Sequence, residues 1–123
     1  MARNPVRPPD PFLPLTPVAF EILLALADGD RHGYAILQAV DAQTAGALRL
    51  HPGTLYRALA RLADSHLIQE LDQQPAGEGD DERRRYFRLT ALGHRVAAAE
   101  ARRLETQLRC ARRRRLLPHA GPA

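Results

Sequence analysis

The chain has 123 residues, one domain's worth, and its 45% hydrophobic content is ordinary for a soluble globular domain. No apolar run approaches the roughly 18 residues of a membrane span, residues 1–5 carry no apolar signal core, and the single cysteine, Cys110, excludes an internal disulfide, so a cytoplasmic protein with no membrane partner is expected. Net charge is +4 but unevenly spread, +1 over residues 1–63, −7 over 64–82 and +10 over 83–115, and every basic side chain is an arginine.

Five prolines, Pro5, Pro8, Pro9, Pro11 and Pro14, forbid a continuous helix over residues 1–14 and predict a flexible arm, ordered near Phe12 and Leu13 if these pack on a neighbour. Thr16-Pro17 reads as a helix start, a capping hydroxyl followed by proline at the first helical position. Val18, Ala19, Ile22, Leu23 and Leu26 then keep helical spacing until Asp28-Gly29-Asp30. A second helix is expected from Gly33 to Gln43, ended by Ala45-Gly46. Leu48 and Leu50 alternate with Arg49 and suggest a very short strand.

Pro52 opens a third helix, residues 52–64. Leu55, Leu59, Leu62 and His66 form its inner stripe, and Thr54, Arg57, Arg61 and Asp64 its outer face. Thirteen residues span about 20 Å, enough to cross a DNA major groove. Gly53 lets the backbone approach phosphate, Thr54 and Tyr56 can bond phosphate oxygens, and Arg57 and Arg61 lie four apart on one face. Arginine suits nucleic acid because it bonds phosphate and guanine edges bidentately. An ordinary amphipathic helix with solvated arginines would read the same way, and codon bias also accounts for the missing lysine. The strand-turn-strand pattern directly after this helix favours the groove-reading alternative.

Leu67, Ile68 and Leu71 suggest a strand, residues 73–82 an acidic glycine- and proline-containing loop, and residues 83–89 a returning strand. Arg85, Phe87 and Leu89 share one face of that strand, and Arg84, Tyr86 and Arg88 the other. The acidic loop tip would repel phosphate, so the strand arginines, Arg84 and Arg88 on the polar face, are expected to clamp the backbone; alternatively the acids pair internally with Arg83 to Arg85. Thr90 caps a last helix, residues 91–117, on which Ala97, Ala101, Leu104, Leu108 and Ala111 recur at coiled-coil-like spacing and predict a dimer seam. Arg112 to Arg115 reads as a solvated run, and residues 118–123 as a disordered tail. Tyr34 opens the second helix, where its hydroxyl either bonds a phosphate or packs beneath the third.

The fold expected is mainly α with a small β-hairpin: a winged helix-turn-helix over residues 15–90 plus a C-terminal dimerisation helix, with the third helix in the major groove. No enzyme is expected. Ser65 and His66 are adjacent and diverge on a helix, the histidines show no metal spacing, and no glycine-rich phosphate loop follows a strand, so no catalytic residue, metal or cofactor is assigned.

Three stretches resemble the PadR family of bacterial transcriptional regulators: Ile22 to Leu26 leading into His32-Gly33-Tyr34-Ala35-Ile36; Pro52-Gly53-Thr54-Leu55-Tyr56-Arg57-Ala58-Leu59 with Leu62 and Leu67-Ile68; and Arg85 to Gly93. They cover about residues 15–95, and the final helix resembles that of the short-tailed members. The resemblance implies a homodimeric, repressor-like regulator, relieved by a small aromatic or hydrophobic effector at the subunit interface. It implies DNA contacts at Tyr34, Thr54, Tyr56 and Arg57, with Arg84 or Arg85 in the wing. Together with the residue reading, the expected DNA-facing set is Tyr34, Pro52, Gly53, Thr54, Tyr56, Arg57, Arg61, Arg84, Arg85 and Arg88, acting on a palindromic double-stranded operator. The alternative is a winged-helix protein-protein interaction module that does not bind DNA; the acidic stretch 64–82 favours it and the exposed arginines oppose it.

Overall fold

Helix signals in the sequence become four helices, and a small three-stranded sheet closes one side of them, in the computed structural model, which describes residues 8–71 and 85–118. After a 3-10 turn at Asp10–Phe12 come α1 (Pro17–Leu26), β1 (Arg31–His32), α2 (Gly33–Gln43), α3 (Pro52–Asp64), β2 (Ile68–Glu70), β3 (Tyr86–Leu89) and α4 (Ala91–Arg113). This is the winged-helix plan. Residues 1–7, 72–84 and 119–123 are outside the described part, and with them Arg84, the whole acidic loop 73–82, the first half of the expected arm and most of the tail.

Side-chain caps fix the starts of α1, α2 and α4. Thr16 Oγ1 accepts the Ala19 N–H at 3.1 Å, with Pro17 at the first helical position. His32 Nδ1 accepts the Ala35 N–H at 3.2 Å, so a histidine caps α2. Thr90 Oγ1 accepts the Gly93 N–H at 2.9 Å, and its hydroxyl reaches the carbonyl of His66 at 2.7 Å and of Leu67 at 3.0 Å. One threonine thus starts α4 and ties it to the turn after α3.

The strand order is β1-β3-β2, antiparallel throughout, with Arg31 opposite Phe87, and Ile68 opposite Leu89. Three expectations change here. Leu48 and Leu50 are half-buried and pack on the core, but they form no strand. Thr44 Oγ1 accepts the Leu48 N–H at 3.1 Å and holds the segment in a loop. Tyr86, expected on the polar face, is buried, because the His32 ring meets it edge-on at 5.3 Å from the other strand. His66, expected on the inner stripe of the third helix, lies beyond its end, exposed, with φ +65°.

The core joins Ile22, Leu23 and Leu26 of α1, Ile36 and Val40 of α2, Leu55, Leu59 and Leu62 of α3, and Phe87 and Val96 from the sheet and α4. Each such side chain contributes about 1.5–3 kcal/mol when fully buried. Phe12, Leu13 and Leu15 pack against it, so the end of the arm is anchored on the core of its own chain.

The inward row of α4 is Gly93, Val96 and Glu100. Of the expected seam, Ala97 packs on the core of its own chain; Ala101 and Leu108 are exposed, and Leu104 and Ala111 are half-buried. Glu100, 2% exposed, is the one buried charged residue among those described. Arg103 Nε and Nη2 donate to its two oxygens at 2.9 and 2.7 Å, and the Leu15 N–H points at Oε1 from 3.4 Å. The hydrogen bonds from Arg103 hold this carboxyl below the ordinary 4.5, against the opposing effect of burial. A depressed folded-state value means the stabilisation is present above the unfolded value and is lost as pH falls through the folded one. The stability gap between wild type and Glu100→Gln, read by urea unfolding, is therefore expected to be constant at neutral pH and to close below about 4.5. A gap that does not change with pH would refute that role.

Candidate nucleic-acid interface

α3 is the most sharply two-faced element of the fold. Leu55, Leu59 and Leu62 are buried, while Gly53, Arg57 and Arg61 are exposed and Thr54 is half-exposed. Arg57 Nη2 reaches Thr54 Oγ1 at 3.4 Å, a weak tie on the outer face. Among the described residues, neither Arg57 nor Arg61 meets a carboxylate, whereas Arg49, Arg85, Arg88, Arg103 and Arg109 all do. The outer face of α3 therefore carries two open guanidinium groups one turn apart.

The start of the helix adds to that field. His51 stands at the cap position but makes no capping bond, and Pro52 has no N–H. The amides of Gly53 and Thr54 are left at the positive end of the helix dipole with no acid in the first turn. Phosphate suits such an end. Tyr34, at the second position of α2, is 61% exposed and so does not pack beneath α3.

Tyr56 is placed differently from the expectation of an outward contact. It packs against the core, and its hydroxyl sits so close to Gly33 that a Cβ there would overlap it. The glycine of His32-Gly33-Tyr34 thus makes room for the tyrosine of α3, and the pair sets the distance between α2 and α3. The two motifs are coupled by one contact that neither shows alone.

The strand arginines are engaged. Arg85 Nε and Nη2 donate to the two oxygens of Glu70 at 2.8 and 2.9 Å, and the guanidinium lies 5.4 Å from the Tyr56 ring centroid and 5.6 Å from that of Phe87. Those hydrogen bonds hold the Glu70 carboxyl below the usual carboxylate range and push Arg85 higher still. Arg88 Nε and Nη2 donate to Asp30 at 3.1 and 2.9 Å. Strand alternation puts Arg85 on the α3 side with Phe87 and Arg88 on the other, where it straps β3 to the turn before β1. The alternative reading, pairing of the loop acids with Arg83 to Arg85, involves acids and two arginines outside the described residues; Arg85 and Arg88 pair with Glu70 and Asp30. The sequence reading missed both, as it missed Glu100, because each pair depends on strand register or helix face.

A groove of about 490 Å³ runs beside α3, walled by Phe12, Leu15, Val18, Ala58 and Leu62, with Arg57 and Arg61 among its lining. No helix among the described residues is long and apolar enough to cross a membrane. No three His, Cys, Asp or Glu side chains among them are grouped to hold a metal ion.

The sequence profile described as the transcriptional regulator PadR-like family matches residues 22–99. A protein of transposon TN4556 from Streptomyces fradiae, described only as an uncharacterised 37.1 kDa protein, is 44% identical over 80 residues, 65% of this chain. This chain spans only 21% of that protein's length. A transcriptional regulator from Clostridium thermocellum superimposes with a TM-score of 0.65 at 26% identity, over 78% of this chain and 87% of that one. Bacillus subtilis PadR, solved in complex with operator DNA, gives a TM-score of 0.58 at 19% identity, over 70% of this chain and 47% of that one, a likeness of fold.

Proposed function

The chain belongs to the PadR-like family of transcriptional regulators, a family of regulators and not of enzymes, and from that premise we propose that it works as a cytoplasmic, homodimeric repressor that reads operator DNA with α3. The observation that carries the DNA reading is the outer face of α3: Arg57 and Arg61 one turn apart, without carboxylate partners among the described residues, beside an uncapped helix N-terminus. Arg57 and Arg61 approach base edges or phosphate, the amides of Gly53 and Thr54 and the Tyr34 hydroxyl approach phosphate, and Arg85 extends the contact onto the wing. Pro52 sets the start of the reading helix and Tyr56 its height above α2. The fold shared with Bacillus subtilis PadR, solved in complex with operator DNA, supports a DNA-binding role.

The dimer reading rests on the far half of α4. Leu108 is 46% exposed, Ala101 is also uncovered, and Leu104 and Ala111 are only half-buried, on a helix whose last three turns lean on little of their own chain. Two copies joined there would present two α3 helices to successive major grooves of a palindrome. Sedimentation equilibrium is expected to give twice 13.7 kDa; a single 13.7 kDa species at micromolar concentration would remove the dimer.

Fluorescence anisotropy with DNA from upstream of the gene, against a scrambled duplex, tests the function. The upstream duplex is expected to bind more tightly, and a dimer making about 6–10 phosphate contacts should lose roughly 10³–10⁵ in affinity between about 50 and 200 mM salt. No binding to either duplex would refute the DNA reading and leave the protein-interaction module. Relief by a small aromatic or apolar effector is part of the proposal, supported by the groove beside α3, whose volume is that of a ligand pocket. It requires a compound that weakens binding in the same assay, and it fails if no such compound does.

A further inference from the structure

We propose that Glu70 is an intramolecular stand-in for a DNA phosphate at Arg85, and that by occupying this arginine it limits how tightly the protein holds DNA of any sequence. The inference rests on the DNA reading above and deepens it. Its basis is geometric. Glu70 ends β2, and β2–β3 pairing places it directly opposite Phe87, next to Arg85. Its two oxygens take Nε and Nη2 of Arg85 at 2.8 and 2.9 Å. That fork is the edge with which arginine grips a phosphate in a bidentate pair. A carboxylate and a phosphate therefore compete for one set of donors.

The pair is ill suited to a structural role. Its side chains are 53% and 42% exposed, and exposed pairs of this kind contribute little to stability. What holds Arg85 in place is different: its guanidinium lies over the rings of Tyr56 and Phe87. When Glu70 lets go, Arg85 stays beside α3, with its donors free. Phosphate binding at Arg85 must first displace the carboxylate and then bears its repulsion. Sequence-independent affinity is thereby lowered, while contacts from Arg57 and Arg61, which have no such competitor among the described residues, are untouched.

The test is anisotropy on the scrambled and upstream duplexes with wild type, Glu70→Gln, Arg85→Ala, the double variant and Glu105→Gln. Glu105 pairs only at 3.7 Å with Arg109 on α4, so its replacement controls for net charge. Glu70→Gln is expected to tighten the scrambled duplex about three- to tenfold and to steepen the dependence of log K on log salt by about one per subunit. In the Arg85→Ala background the same change should have no effect. An unchanged or weaker Glu70→Gln complex, an equal gain in Glu105→Gln, or a gain that persists without Arg85 would each overturn the inference while leaving the DNA reading intact. Absence of binding by wild type and Glu70→Gln to both duplexes would overturn both.

Discussion

Replacing Gly93 by alanine is expected to lower the stability of this protein by about 2–4 kcal/mol, a fall in melting temperature of roughly 10 °C for a chain of this size. Gly93 is in the first turn of α4, where alanine is ordinarily the better residue by about 1 kcal/mol. The sign is reversed by what it faces. A Cβ at Gly93 would overlap the carbonyl oxygen of Leu67 and come within 2.9 Å of the Leu67 carbonyl carbon and of Leu89 Cδ1. That carbonyl cannot swing aside, because it accepts the Thr90 N–H at 3.1 Å and lies 3.0 Å from Thr90 Oγ1. The overlap is with backbone, so α4 itself must move away from the turn after α3. Differential scanning calorimetry decides the matter: a rise in melting temperature would mean that helix propensity wins and that this contact is looser than its geometry implies.

The second large effect is expected at Arg57. Its side chain points to solvent with Thr54 as its only partner among the described residues, and alanine preserves the helix, so Arg57→Ala should fold normally. Its cost should appear in binding, about 1–3 kcal/mol per subunit, a loss of about five- to 160-fold for each subunit, if it reads a base. A base contact predicts that affinity for the upstream duplex falls while that for a scrambled duplex barely changes. A phosphate contact predicts that both fall together and that the salt slope drops by about one per subunit. Unchanged affinity for the upstream duplex would remove Arg57 from the interface.

α3 was the most legible part of the sequence. Pro52 at its start and the leucines at 55, 59 and 62 define α3 with the same bounds as the structure, and α2 is equally well marked from Gly33 to Gln43. These are local signals with a 3.6-residue period, which short-range chemistry suffices to produce. The sheet was less legible. β1 is two residues long, and only its pairing with β3, more than fifty residues later, makes it a strand. Leu48 and Leu50 show the converse, an alternating pattern whose inward packing ends as a loop, with the Leu48 N–H held by Thr44.

The site was legible where it depends on helix spacing and illegible where it depends on partners. Thr54, Arg57 and Arg61 lie on the outer face, as their spacing predicts. Tyr56 belongs to the same helix but turns inward, because Gly33 leaves it a space that can be known only once α2 and α3 are packed. Arg85 and Arg88 look alike in sequence, yet alternation separates them to opposite sides of β3 and gives them Glu70 and Asp30 as partners. On α4 the seam spacing ran through Ala97, while the inward row takes in the charged Glu100, a position that an apolar pattern skips and that Arg103 makes tolerable.

The claim that α3 lies in the major groove is tested most directly by methylation footprinting of the upstream DNA with the bound protein. Guanine N7 lies in the major groove and adenine N3 in the minor groove, so the two sites report the grooves separately. The expected result is protection of guanine N7 in two patches about 10 base pairs apart, one for each subunit, and loss of both patches with Arg57→Ala. Protection confined to adenine N3, or a bound complex that protects neither, would contradict it.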